Sequence, residues 1–144
     1  MPPPVERQEK QPASDELTEV APGVYRAQLP IALPGLGHVN CYVFEDEHGI
    51  AVIDPGMPDP GSYDALRHRL AQLGATPEHI HTVLVTHSHP DHFGGAGRLR
   101  IVAEAEVVAH RSFRSIFDQT DDDLMELFDE RAPKVDPDGF DPAE

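Results

Sequence analysis

The stretch Leu84-Val-Thr-His-Ser-His-Pro-Asp-His-Phe-Gly-Gly95 places His87, His89, Asp91 and His92 within six residues, using three of the chain's nine histidines. Imidazole and carboxylate donors without a thiolate suit Zn²⁺, with Fe or Mn as the redox-active alternatives. A structural zinc site ordinarily brings cysteine ligands and closes around the ion, whereas a site without cysteine leaves a position for water, which is the catalytic pattern. Water on such an ion has its pKa lowered to about 7, so hydroxide is available at neutral pH. Asp91, held beside it, could orient that hydroxide or accept its proton. The plain alternative is a polar loop satisfied by its own hydrogen bonds. Three histidines and an acid at these spacings, directly after an apolar run, argue against it.

The elements that must position this cluster can be read on either side of it. His87 and His89 stand two apart at the carboxyl end of the strand-like run His79-Ile-His-Thr-Val-Leu-Val-Thr86. In extended backbone they point the same way. Val83-Leu84-Val85 is a continuous apolar run, which predicts a strand buried on both faces. Pro90 cannot continue a ladder and forces a turn. Gly94 and Gly95 let the backbone pass closely before a helix over about 95–105. Donors at such a strand–helix junction lie where open α/β sheets bind ligands, outside the carboxyl ends of the strands.

Upstream, residues 1–16 are rich in proline and charge. They read as a disordered leader. Val20 and Val24-Tyr25 flank a Pro-Gly turn, which predicts a short hairpin. Residues 31–38 read as a Gly/Pro loop. Val39–Asp46 and Ile50–Asp54 read as two strands of a second, antiparallel hairpin. Asp54-Pro55-Gly56 ends the latter strand abruptly. Leu66, Leu70 and Leu73 then recur at i, i+4 and i+7 on a helix over Tyr63–Leu73, which Gly74 stops. A last strand follows at 107–110. The order β-β-β-α-β-α-β describes a layered α/β fold with at least one right-handed β-α-β crossover. Beyond it, residues 115–117 and 123–128 could form short amphipathic helices. The domain is placed at 17–132, and residues 133–144 read as a disordered or truncated tail.

The remaining candidates are weaker. Cys41, the single cysteine, reads as a small buried hydrophobe. His110 reads as a structural or rim residue, and His48, His68, His79 and His81 as surface or packing residues. His38 and Asn40 fall in the Gly-rich loop, where loop structure is favoured over substrate contact. The net charge of −15 opposes binding to nucleic acid or an anionic membrane and favours a small neutral or cationic substrate. No stretch has the length of a signal peptide or a membrane span, so a cytoplasmic location is expected.

The run His87-x-His89-x-Asp91-His92, preceded by Thr86 and followed by Phe93-Gly94-Gly95, resembles the signature of the metallo-β-lactamase superfamily, and most closely its glyoxalase II-type and related thioester- or phosphodiester-cleaving branches. Ile53-Asp54-Pro55-Gly56 matches that family's earlier strand-end motif. The resemblance covers about residues 20–117. It implies an α/β fold, the four-layer αββα sandwich, in full or as its N-terminal half. It implies two zinc ions, with His87 and His89 on the first, Asp91 and His92 on the second, and Asp54 bracing the site from behind. It implies a hydrolase in which metal-bound hydroxide cleaves an ester, thioester, lactone or amide-type bond of a small molecule, with Asp91 as the catalytic proton handler. Two alternatives stand beside this: a phosphodiesterase or nuclease of the same fold, and an inactive metal-binding fragment that docks on a partner. The family's second half supplies another histidine, a bridging aspartate and a final histidine that find no counterpart here. Either a further C-terminal half or another copy in a homo-oligomer completes the site, or the site is a minimal, weak one.

Overall fold

In a computed structural model the described residues are 1–114, apart from 2, 5, 6, 32 and 33. The expectations for residues 115–144, including the short helices and the tail, lie outside them. Six strands form one sheet in chain order: β1 (Thr18–Ala21), β2 (Val24–Pro30), β3 (His38–Asp46), β4 (Gly49–Ile53), β5 (Ile80–Val85) and β6 (Glu106–Ala109). The first four pair antiparallel, and β4–β5 and β5–β6 pair parallel. Four strands precede the first helix, not the three of the expected order, because the Pro22-Gly23 hairpin contributes two. Gly23 takes a positive φ of 72°, which this tight turn requires and glycine adopts freely.

The parallel half follows from two helical crossovers. Helix α1 (Pro60–Ala71) carries the chain from β4 to β5. It starts three residues earlier than the leucine spacing suggests. The Asp59 side chain accepts the Ser62 N–H at 2.7 Å, and Pro60 occupies the first turn. Both are favoured ways to begin a helix. Its end is closed by Gly74 at a positive φ of 69°, with the Ala75 N–H reaching back to the Leu70 carbonyl at 3.0 Å. A left-handed glycine is the common way to stop a helix. After the cluster, α2 (Pro90–Phe93) and α3 (Ala96–Ala103) lead to β6.

One face of the sheet holds the core. Strand β3 alternates, with Val39, Cys41 and Val43 buried and Tyr42 exposed. Val43 pairs with Val52, and both are fully buried, as are Leu29, Val83, Leu66, Leu70 and Leu99. The other face is different. Tyr42, Ile53, Leu84 and Val108 are successive cross-strand partners, and Leu84 is 38% exposed. The expectation that β5 is buried on both faces is therefore corrected. Val83 and Val85 enter the core, while Leu84 between them lies on a face that the described residues do not cover.

The amino-terminal segment, which composition marks as a leader, meets the domain at several points. Gln8–Lys10 form a 3₁₀ turn. The Gly37 N–H donates to the Glu9 carbonyl (2.7 Å), the Ser14 N–H to Gln28 Oε1 (2.8 Å), and buried Arg69 donates through Nη2 to the carbonyls of Ser14 (2.9 Å) and Gln28 (3.1 Å). A Cβ on Gly37 would overlap the Gln11 carbonyl, so only glycine permits this approach. Among the described residues, no helix is long and apolar enough to cross a membrane.

Candidate metal centre

Parallel pairing of β4 with β5 sets Ile53 beside Leu84, so both strands end together and Asp54 arrives next to Thr86. The Asp54 N–H donates to the Leu84 carbonyl at 3.0 Å. Its carboxylate accepts the Thr86 N–H through Oδ1 at 2.9 Å and the Thr86 hydroxyl through Oδ2 at 2.5 Å. Asp54 is 6% exposed and takes a positive φ of 55°. Asp tolerates that conformation better than most residues. The strand ends are thus tied by an acid that is itself locked in place.

Beyond Thr86 the chain turns on itself. Pro90 opens the single turn α2, a position where its missing N–H costs nothing. The N–H groups of His92 and Phe93 both return to the His89 carbonyl, at 2.9 and 3.1 Å. The turn folds His92 back over His87. Their ring centroids are 4.2 Å apart, and those of His87 and His89 are 4.8 Å apart. Asp91 Oδ2 lies 3.5 Å from His92 Nε2. The turn is held against the β4 end by the Gly95 N–H, which donates to the Gly56 carbonyl at 3.0 Å. A Cβ on Gly95 would overlap the Pro55 carbonyl, and one on Gly94 would overlap Pro58. The Gly-Gly pair is therefore dictated by close contact across the junction.

The hydrogen bonds fix which imidazole nitrogens are free. A carboxylate only accepts, so the Thr86 hydroxyl donates to Asp54. The Thr86 oxygen then accepts from His87 Nδ1, 2.8 Å away. His92 Nδ1 also faces Asp54 Oδ2, at 3.3 Å. With both Nδ1 atoms carrying protons, each neutral ring keeps its lone pair on Nε2. This is the arrangement by which an acid behind a histidine prepares it as a metal ligand. Asp54, His87 and His92 offer donor atoms that all lie within 4.8 Å of one another. The Asp54 oxygens are already occupied behind the rings by Thr86 and His92, so the imidazoles are the donors turned to an ion, and imidazole is a ligand that divalent zinc accepts.

The structure thus brings His87, His89, Asp91 and His92 to one place and adds Asp54 and Thr86 to it. All six border a cavity of about 580 Å³. Sequence reasoning does not single out Thr86 as part of a proton relay; its position immediately before the cluster is the signal. His38 and Asn40 also border this cavity, both as residues of β3; this agrees with the strand expected over 39–46 and corrects the loop reading of His38. The glycines at 35 and 37 suggest a loop running further than it does. Gln8 and Glu9 of the amino-terminal segment reach the same cavity, and composition gives no sign of this. The other histidines are occupied elsewhere. His79 Nδ1 accepts the Thr76 N–H at 3.0 Å, His81 Nε2 meets Asp46 at 2.8 Å, and His110 Nδ1 accepts the Ser112 N–H at 3.1 Å. Cys41 is fully buried, and burial, followed by the charge of Asp54, pushes its thiol well above the usual range. Both influences disfavour the thiolate.

Comparison with known proteins gives a consistent result. The sequence profile of the metallo-beta-lactamase superfamily matches residues 34–143. A hydroxyacylglutathione hydrolase of Albidiferax ferrireducens is 39% identical over 77 residues, which is 54% of this chain and 27% of that protein. The uncharacterized protein YobT of Bacillus subtilis is 41% identical over 66 residues, 46% of this chain and 26% of that one. Among solved structures, a metallo-beta-lactamase family protein of Thermus thermophilus superimposes with a TM-score of 0.60 at 33% identity, covering 65% of this chain and 30% of that chain. The subclass B3 enzyme BJP-1 of Bradyrhizobium japonicum, at 22% identity and a TM-score of 0.55, shares the fold, over 69% of this chain and 34% of its own. In each case the matched region is about a quarter to a third of the relative's length. The chain belongs to the metallo-beta-lactamase superfamily and carries the N-terminal part of its fold.

Proposed function

We propose that this chain contributes the metal centre of a hydrolase that cleaves an acyl bond in a small molecule, with a thioester the first candidate among thioester, ester, lactone and amide. The observation that carries the reading is the relay from His87 through Thr86 to Asp54, joined by His92. It leaves an Nε2 lone pair on each of two histidines that border one cavity. Two zinc ions are the proposed cofactors, with His87 and His89 toward the first and Asp91 and His92 toward the second. Bound there, they would supply a nucleophile from water near neutral pH and polarise the scissile carbonyl.

The chain's own residues have separate tasks. Asp54 accepts hydrogen bonds from the Thr86 hydroxyl and from His92 Nδ1, and so keeps both rings in the ligating tautomer. Asp91, 3.5 Å from His92 Nε2, is placed to hold the proton released when water attacks. The thioester preference draws on the relative named a hydroxyacylglutathione hydrolase. The net charge of −15 supports a small neutral or cationic substrate over a polyanion, which separates this reading from nucleic-acid cleavage.

The test is turnover by the zinc-loaded chain on a panel of aryl thioesters, esters, lactones, anilides and bis-aryl phosphodiesters, before and after chelation. Chelator-sensitive hydrolysis of the carbonyl compounds is the expected result. Cleavage confined to phosphodiesters would replace this reading with its rival. Tight zinc binding without turnover of any compound would favour a metal-binding module completed by other residues, a reading to which the uncovered row Tyr42, Ile53, Leu84, Val108 lends support.

A further inference from the structure

We infer that residues 8–11 are a movable wall of the metal cavity, which docks on Gly37 and His38 when a small molecule with an apolar group occupies the cavity and lets go when that molecule leaves. The inference rests on the reading of this cavity as the substrate site. Gln8 and Glu9 border the cavity, and so do Leu36, Tyr42 and Ile53. Leu36 and Tyr42 are exposed. An apolar acyl or aryl group lying in the cavity would take such surface out of water, which is favourable.

The tip of the amino-terminal segment is lightly held. Every residue from 7 to 12 is exposed, and the 3₁₀ turn Gln8–Lys10 buries no side chain. Among the described residues, two hydrogen bonds tie the tip to the sheet: the Gly37 N–H donates to the Glu9 carbonyl at 2.7 Å, and His38 Nδ1 to the Gln11 carbonyl at 2.8 Å. The base of the segment is gripped harder. The Ser14 N–H meets Gln28, buried Arg69 donates to the Ser14 carbonyl, and Gln72 Nε2 donates to the Asp15 carbonyl at 2.7 Å. A segment with a fixed base and an exposed tip without buried apolar contacts belongs to the low-stability end of a structure, where local opening costs little. At the usual net strength, two hydrogen bonds favour the docked tip by roughly thirtyfold.

A molecule that fills the cavity meets this wall only while the wall is docked. It therefore binds the docked form more tightly and shifts the population toward it. Such coupling is reciprocal: the factor by which occupancy favours docking is the factor by which docking favours occupancy. Gly37 offers a way to break it. A Cβ there would overlap the Gln11 carbonyl, and Gly37 itself takes no positive φ, so alanine evicts the tip without straining its own backbone. Gly37 does not border the cavity.

The test follows trypsin cleavage after Lys10 in the zinc-loaded chain, with and without benzenethiol, an aryl thiol whose sulfur zinc accepts. Cleavage there requires the tip to undock, so its rate follows the open population. Saturating benzenethiol should slow it about fivefold or more, the lower end of typical coupling between sites. Gly37→Ala should be cut faster, by up to roughly thirtyfold, at a rate that the thiol leaves unchanged. In equilibrium dialysis the variant should bind benzenethiol more weakly, by the same factor as the protection seen in the wild type. Wild-type cleavage that ignores saturating thiol overturns the inference without any variant having to fold. So does full thiol affinity in folded Gly37→Ala, or a wild-type chain that binds no thiol. Turnover of the acyl panel without protection of Lys10 defeats this inference alone, and protection of Lys10 without turnover defeats only the hydrolase reading.

Discussion

Replacing Asp54 by Asn keeps its shape and keeps an acceptor for the Thr86 N–H. It also keeps a residue type that tolerates a positive φ, here 55°. What changes is the atom at Oδ2, which becomes an amide donor facing the Thr86 hydroxyl and His92 Nδ1. The Thr86 oxygen must then accept from Asn, and its proton turns toward His87 Nδ1. The relay runs backwards, and His87 carries its hydrogen on Nε2, where a ligand needs a lone pair. To bind an ion, the variant must break the reversed bond at His87 and accept a donor–donor mismatch at His92. At about 1 kcal/mol for each hydrogen bond the sum is about 2 kcal/mol, or roughly a thirtyfold loss of affinity. This agrees with the roughly 10–100-fold loss that follows removal of an acid behind a ligating histidine. Competition with a chromophoric chelator at pH 7 measures the affinity for zinc. Thr86→Val cuts the relay at its middle and should weaken binding in the same direction. If both variants hold zinc as the wild type does, the relay does not prepare the ligands and the tautomer argument fails.

Other consequences of the structure can be checked as directly. The Cβ introduced by Gly95→Ala would press on the Pro55 carbonyl, which is backbone and cannot rotate away. Urea melts should show a loss of about 1–3 kcal/mol. Leu70 is fully buried and Leu84 is not. Leu70→Ala should therefore lose about 2–5 kcal/mol, and Leu84→Ala under about 1 kcal/mol; equal losses would mean that the outer sheet face is covered in solution. Asp46 is held below the usual carboxylate range, first by the backbone N–H of His48 and then by His81. A carboxylate with a depressed folded pKa adds stability above its unfolded value near 3.9 and loses it as pH falls through the folded value. Asp46→Asn should therefore be less stable than wild type at about pH 6, and the gap should close as the pH drops below about 4. A gap that widens on acidification would reverse the assignment.

Much of the site could be read in the sequence because it is local. His87, His89, Asp91 and His92 fall within one turn and one strand end, and Pro90 with the two glycines dictates how they fold together. The contribution of Asp54 is harder to see, since it depends on parallel pairing of β4 with β5 across a helix, and its bonds to Thr86 form only when both strands end level. The errors have equally specific causes. Three apolar residues in a row make β5 look buried twice over, yet burial of Leu84 depends on what lies across the sheet rather than on its neighbours in sequence. Gly35 and Gly37 make His38 look like a loop residue, although Gly37 is there to let the amino-terminal segment approach. That segment has a proline-rich composition, and its partners Gln28, Gly37, Arg69 and Gln72 are scattered along the chain, so nothing local announces the contact.

The most direct measurement is an anomalous difference map at the zinc edge from a crystal of the zinc-loaded chain. The account predicts a peak about 2.0–2.1 Å from imidazole nitrogens of at least two of His87, His89 and His92, with Asp54 bonded to Thr86 behind it. Zinc found only at outlying histidines such as His48 or His68, with the three rings turned away from one another, would contradict it.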